Sequence, residues 1–293
     1  MSKKRWGDRK DGTLIRDLDS MHFIMGHIYR DRTDNEAFIS ETLDLTNADR
    51  YLAEKNVGND GYQYNLFQLL VCAFTKAVHL RPRMNRFIVN RNYYQRNEVT
   101  SAFVVRVKMQ DESNEGLAFI HSTKESTIDT MHDEIVHQIM GARQTSGSDH
   151  TDTTTDAMDM FNKMPRFVSR GILSFVKWLD KHGWVPDSLI ETDANYASVF
   201  FTNLGSIKLQ AGYHHLSNWG TTSVFVIVGE KKKRPFFNED GTYEMRDSVE
   251  IGLTVDERIA DGYYYAKTIR LVKKLIENPA LLELPFGEEI DYE

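Results

Sequence analysis

The sequence predicts a single α+β domain built around a mixed or mostly antiparallel β-sheet with helices packed on it. Three observations carry that prediction. Short β-rich runs alternate with strongly periodic helical ones, and no internal repeat is visible. No linker-like stretch divides the 293 residues. The polar "QDESNE" between the β-rich "VTSAFVVRVKM" and "GLAFIHS" reads as an antiparallel connection. A hydrophobic content of 41% supplies a core, and 27% charged residues is ordinary for a globular chain.

Taken in order, "EAFISETLDL" alternates as a strand does, and "TNADRYLAEKN" opens with helix-capping residues. A helix is expected through "YQYNLFQLLVCAFTKAVHL", with Leu66, Leu69, Leu70, Ala73 and Ala77 at helical spacing and Pro82 stopping it. "TIDTMHDEIVHQIMGARQ" returns to helix. The weakest order is expected at "QTSGSDHTDTTTD", which has almost no apolar residues.

In the stretch that follows, Val168, Ile172, Phe175, Val176 and Leu179 form an apolar stripe. The commoner reading of such a stripe is a helix packed on the core. The sharper one is a membrane-surface or lipid-substrate role, for which Arg166, Arg170, Lys177, Lys181 and two tryptophans speak. "YASVFFTNLG", "TSVFVIVGE" and "SVEIGLTV" are strands, with a hairpin turn at Asp240-Gly241 ahead of the third. "DGYYYAKTIRLVKKLIEN" closes the fold as a helix bearing Ala266, Ile269, Leu271 and Leu275.

A net charge of −7 argues against a general nucleic-acid binder, which needs a basic face. The two basic patches have local readings: "MSKKRWGDRK" as a frayed terminus and "KKKR" at 231–234 as a solvated turn. The single cysteine, Cys72, reads as a buried small hydrophobe, and a chain with one cysteine forms no internal disulfide, as suits a reducing, cytoplasmic setting. No apolar segment approaches the roughly 20 residues of a membrane span, so no integral membrane segment is expected. In "HDEIVH", His132 and His137 stand five residues apart rather than four, which does not match the zinc-helix motif; two histidines on a surface helix are expected, and no metal site.

The last third carries the informative order. A strand ends in "FTNLGSI", a strand "SVFVIVGE" follows, then a hairpin, then "IGLTVDERIADG" running into an amphipathic helix and "NPALLE". This set resembles the catalytic core of the 2-oxo acid dehydrogenase dihydrolipoyl acyltransferases and the related chloramphenicol acetyltransferases. "HLRPRMNRFI" upstream is similar to the family's helix followed by a proline and an Asn-containing turn. The resemblance spans most of residues 1–293 as one acyltransferase-like catalytic domain, with an insertion at about 145–190, and no lipoyl or subunit-binding domain is expected.

The resemblance implies a chloramphenicol acetyltransferase-like sandwich of mixed sheet and helices. It also implies a homotrimer with active sites between subunits, using a coenzyme A thioester as co-substrate, a small-molecule acyl acceptor, no metal and no lipoyl group. In such enzymes the motif histidine is the general base, and a hydroxyl in the turn corresponding to "TNLG" stabilises the oxyanion. Carried over, the oxyanion role falls on Thr202 and the base position on Glu257, where the family has histidine. Asn203, Arg258, Asp261 and Gly262 become structural residues of the site, with Arg16, Arg30 and Arg32 as candidate partners of Asp261.

A glutamate tuned upward by burial serves as a base, whereas a glutamate paired with a cation such as Arg258 only holds the turn. His214 and His215, in "GYHHLSNWG", are the alternative source of an imidazole. Two readings follow: a stand-alone acyltransferase with an atypical base, or a catalytically inactive trimer of the same fold that binds a small molecule or scaffolds a partner.

Overall fold

The structure, a computed structural model, describes residues 5–106, 115–147 and 163–292. Its centre is a mixed seven-stranded sheet. Six strands run in the order β2 (Glu36–Asp44), β10 (Tyr243–Asp256), β8 (Val224–Val228), β7 (Val199–Asn203), β5 (Val99–Arg106) and β6 (Glu115–Ser122). The β7 pairings with β5 and β8 are parallel and the others antiparallel. The long β10 outruns its neighbours, and its first half pairs with β9 (Lys232–Phe237) as a ribbon. A second sheet of β1 (Gly12–Leu14), β4 (Asn92–Arg96) and β3 (Arg86–Val89) lies beside it.

One face of the main sheet is covered by α2 (Thr46–Lys55), α3 (Leu66–Leu80), α4 (Ile128–Gly147) and α7 (Gly262–Glu277), which enclose the principal core. α3 is the central helix, with every residue from Gln68 to Val78 buried. It begins at Leu66 rather than Tyr62 because Asn65 and Gln68 form a reciprocal capping box. α7 starts where Asp261 accepts the Tyr264 amide, and it buries Tyr265, Ile269, Leu271, Val272 and Leu275 while Ala266 stays on the exposed side. The other helices are α1 (Ser20–Ile28), α5 (Arg166–His182) and α6 (Asp187–Thr192).

Several expectations change. The basic 231–234 run is not a turn: Lys232, Lys233 and Arg234 lie in β9, held in ion pairs by Glu230, Asp247 and Glu250. The described part of the N-terminal basic patch is not a frayed end: Arg9 is buried between Asp11 and Asp180. Most of the segment expected to be least ordered lies outside the described residues, and 144–147 continue α4. α5 does not bury its stripe in the core: Val168, Ile172, Val176 and Leu179 are half-buried, Phe175 is exposed, and Asp180 is the one fully buried residue of the helix. His132 is buried against Tyr64 rather than on the surface. Cys72 is fully buried, which pushes its thiol pKa far up.

Candidate active site

β10 ends in Asp256, whose carboxylate accepts two hydrogen bonds from Arg258, Nε to Oδ1 at 2.8 Å and Nη2 to Oδ2 at 2.7 Å. Both side chains are almost wholly inaccessible. Asp256 also caps the short 3₁₀ turn Glu257–Ile259. The remaining Arg258 donor, Nη1, reaches the carbonyls of Tyr29 and Arg30 at the end of α1. A second buried arginine, Arg32, lies 3.8 Å from Asp256 and donates to the carbonyls of Ser217 and Gly220. The motif turn is thus tied to α1 and to the 217–220 loop through one carboxylate.

Glu257 stands on this braced turn. Its amide donates to the Asn35 carbonyl, and its side chain is exposed, with no ion-pair partner among the described residues. Arg258 is already committed to Asp256, so it does not neutralise Glu257. Asp261 caps α7, and its arginine neighbour is Arg83, at 3.9 Å, rather than Arg16, Arg30 or Arg32. The buried aspartate–arginine pair therefore belongs to Asp256. A signal for it existed in the sequence, since Asp256 and Arg258 flank Glu257, but spacing alone does not tell which of two aspartates is buried.

Thr202 sits half-buried on the face of β7 opposite the main core, which Val199 and Phe201 face. The next residue, Asn203, accepts the Ser206 amide and so holds the turn through Gly205. A Cβ at Gly205 would lie 2.6 Å from the Gly229 carbonyl oxygen, so only glycine fits there. On the same face Phe200, Leu204, Leu216, Phe225 and Ile227 form a small cluster. The loop carrying Gly212 and Tyr213 crosses over Gly252, close enough to exclude any side chain at that position.

That loop delivers the two histidines. Both are exposed; the His214 ring stacks on Phe225 at 4.5 Å and 13° and on His215 at 4.6 Å and 22°. His214 Nδ1 lies 2.7 Å from the His215 carbonyl oxygen. A carbonyl only accepts, so Nδ1 carries the proton and the neutral ring keeps its lone pair on Nε2.

Strand register fixes how these groups relate. Thr202 pairs with Ile227, which pairs with Gly252, while Phe225 pairs with Thr254. Phe225, under His214, is one strand and two residues from Thr202, on the same face. Asp256 is four residues beyond Gly252, roughly 13 Å along the strand, and β8 separates β10 from β7 by about 10 Å. Within one chain Thr202 and Glu257 lie at opposite ends of the sheet. A cleft of about 720 Å³ near the N-terminal segment, lined by Lys10, Glu98, Phe119, His121, Asp187 and Tyr196 among others, holds none of the predicted residues. Among the described residues no cluster of histidine, cysteine or acidic side chains is arranged to hold a metal.

Residues 187–284 match a sequence family described as 2-oxoacid dehydrogenases acyltransferase (catalytic domain). Solved structures extend the likeness over most of the chain. A probable dihydrolipoamide acetyltransferase from Listeria monocytogenes 4b F2365 superposes with a TM-score of 0.59 at 16% identity, covering 91% of this chain and 95% of that one. The dihydrolipoamide acetyltransferase of Azotobacter vinelandii gives 0.60 at 12% identity over 92% and 94%. A chloramphenicol acetyltransferase gives 0.50 at 12% identity over 91% and 98%. The chain has the fold of this acyltransferase superfamily. No curated protein matches it in sequence.

The family match begins at Asp187, after α5, and it takes in β7 with Thr202 and the whole run from Asp256 to Gly262.

Proposed function

We propose that the protein is an acyltransferase that moves an acyl group from a coenzyme A thioester to a small acceptor, at a site assembled between subunits of a homotrimer. The observation that carries this reading is the separation of Thr202 from Glu257 in one chain, set in a fold whose resemblance implies intersubunit sites. Each half is accessible and incomplete. α1, packed against the Glu257 turn, exposes Met21, Phe23, Ile24 and Ile28, an apolar face of the kind a neighbouring subunit covers.

In the assembled site the Thr202 hydroxyl donates to the oxyanion of the tetrahedral intermediate. The acceptor's proton passes to a base as its thiol, hydroxyl or amine attacks the thioester carbonyl; coenzyme A then leaves as the thiol. Two groups compete for that role. Glu257 approaches from one subunit, and burial by the neighbour raises a carboxylate toward useful basicity. His214 of the subunit that supplies Thr202 lies on Thr202's own face with its Nε2 lone pair free to accept, and is the competing candidate.

One observation favours the second reading, an inactive trimer of the same fold: the position where the family has histidine is glutamate. Thermal unfolding with acetyl-CoA and with free coenzyme A separates the two. A ligand at about 100 times its Kd adds roughly 2.7 kcal/mol, and the enzyme reading expects that shift together with coenzyme A release in an acceptor screen. Loss of a base lowers turnover about 10²–10⁴-fold. That loss in His214→Gln with Glu257→Gln near wild type assigns the histidine, and the reverse assigns Glu257. No stabilisation at millimolar ligand and no release sinks the enzyme reading.

A further inference from the structure

We infer that α5 is a membrane-surface helix that lays its exposed face on an anionic phospholipid bilayer. Four basic residues recur at i, i+4, i+11 and i+15, namely Arg166, Arg170, Lys177 and Lys181, and so form one row along the helix. Each is followed at once by a residue of the adjoining row: Phe167, Gly171, Trp178 and His182. All eight are exposed. Phe175 widens the second row, and Trp184, just past the helix, completes an aromatic cluster in which the Phe175–Trp178 and Trp178–Trp184 ring centroids are 6.0 and 5.3 Å apart. Phe175, Trp178 and Trp184 are 58%, 45% and 58% exposed, a contiguous display that isolated surface hydrophobics do not give, and Phe167, 78% exposed, stands further toward the start of the same row.

Charge selects the occupant. The helix has a single acidic residue, Asp180, and it is turned inward, where it accepts from Arg9 and from the Tyr196 hydroxyl at 3.0 Å. None of the four basic side chains makes an ion pair among the described residues. A uniformly cationic strip beside an aromatic strip, on a chain of net charge −7, is complementary to an anionic amphipathic surface. The lysine and arginine heads meet lipid phosphates while the rings enter the headgroup–acyl boundary. The helix, about 26 Å long, lies on the bilayer, and no helix among the described residues is long and apolar enough to cross one. This inference stands independently of the acyl-transfer reading.

Vesicle flotation of the full chain tests it, with phosphatidylcholine vesicles compared against phosphatidylcholine containing phosphatidylglycerol. The expected result is flotation with the anionic vesicles only, weakened by salt. Lys177→Gln with Lys181→Gln lowers partitioning about 30-fold at low ionic strength, and Trp178→Glu abolishes it, with melting temperature and oligomeric state unchanged in both. Absence of flotation overturns the inference, as does flotation indifferent to both sets of substitutions. A Trp178→Glu variant that changes oligomeric state, in a protein that binds no vesicles, assigns the face to contacts between copies and overturns it equally.

Discussion

The motif turn turns on one buried carboxylate. Asp256 faces Arg258 and Arg32 in a region closed to water, and through these two guanidinium groups it ties α1 and the 217–220 loop to the turn. Glu257 was legible in the sequence from its offset to Asp261-Gly262. Asp256 was not, because burial is a property of the fold. His79 shows the same limit and yields a pH prediction. Its Nε2 donates to Ser122 Oγ at 2.9 Å, since that hydroxyl donates in turn to the Val99 carbonyl. Burial, helped by Lys124, pushes its pKa down to about 4. The unfolded chain takes up this proton near pH 6.5, where the folded one refuses it. Stability is therefore full above about pH 6.5 and declines as pH falls toward 4. Urea unfolding at pH 7 and pH 4.5 checks it: His79→Gln loses less stability across that interval than wild type, and equal losses exclude His79 as a source.

At the scale of elements, regular periodicity was readable and irregular turns were not. α3, α4, α7 and the strands around "FTNLG" and "VFVIVG" are all where their patterns place them. The β3–β4 hairpin went unseen because its two-residue turn is Asn90-Arg91, with φ of +50° and +66°, and lacks the glycine that announces such a turn. Arg91 holds a left-handed conformation that costs a branched-Cβ-bearing or long side chain more than glycine. Arg91→Gly is expected to raise unfolding free energy by roughly 0.5–1 kcal/mol, measured by chemical denaturation; a loss of stability would show that the arginine side chain does more there than its backbone costs. The apolar stripe of α5 was legible too, but its setting was not: the same pattern serves a core helix and a surface one, and only burial separates them.

For the whole molecule, the order of strands and motifs along the chain was enough to anticipate the acyltransferase fold, while the relation of Thr202 to Glu257 needed the strand register. Residues 60 apart in sequence or fewer can be far apart on a sheet, and the proposed site, which uses both, draws them from two copies. The most direct test of that claim is subunit complementation. An intersubunit site built on Glu257 requires Thr202→Val and Glu257→Gln chains to be impaired alone; the two are co-expressed and their mixed trimers assayed for coenzyme A release from acetyl-CoA. Interfaces that join an intact Thr202 from one chain to an intact Glu257 from the other recover function, so random assembly restores about a quarter of wild-type activity. Mixed trimers no more active than the weighted average of the two parents would contradict an intersubunit site built from these residues.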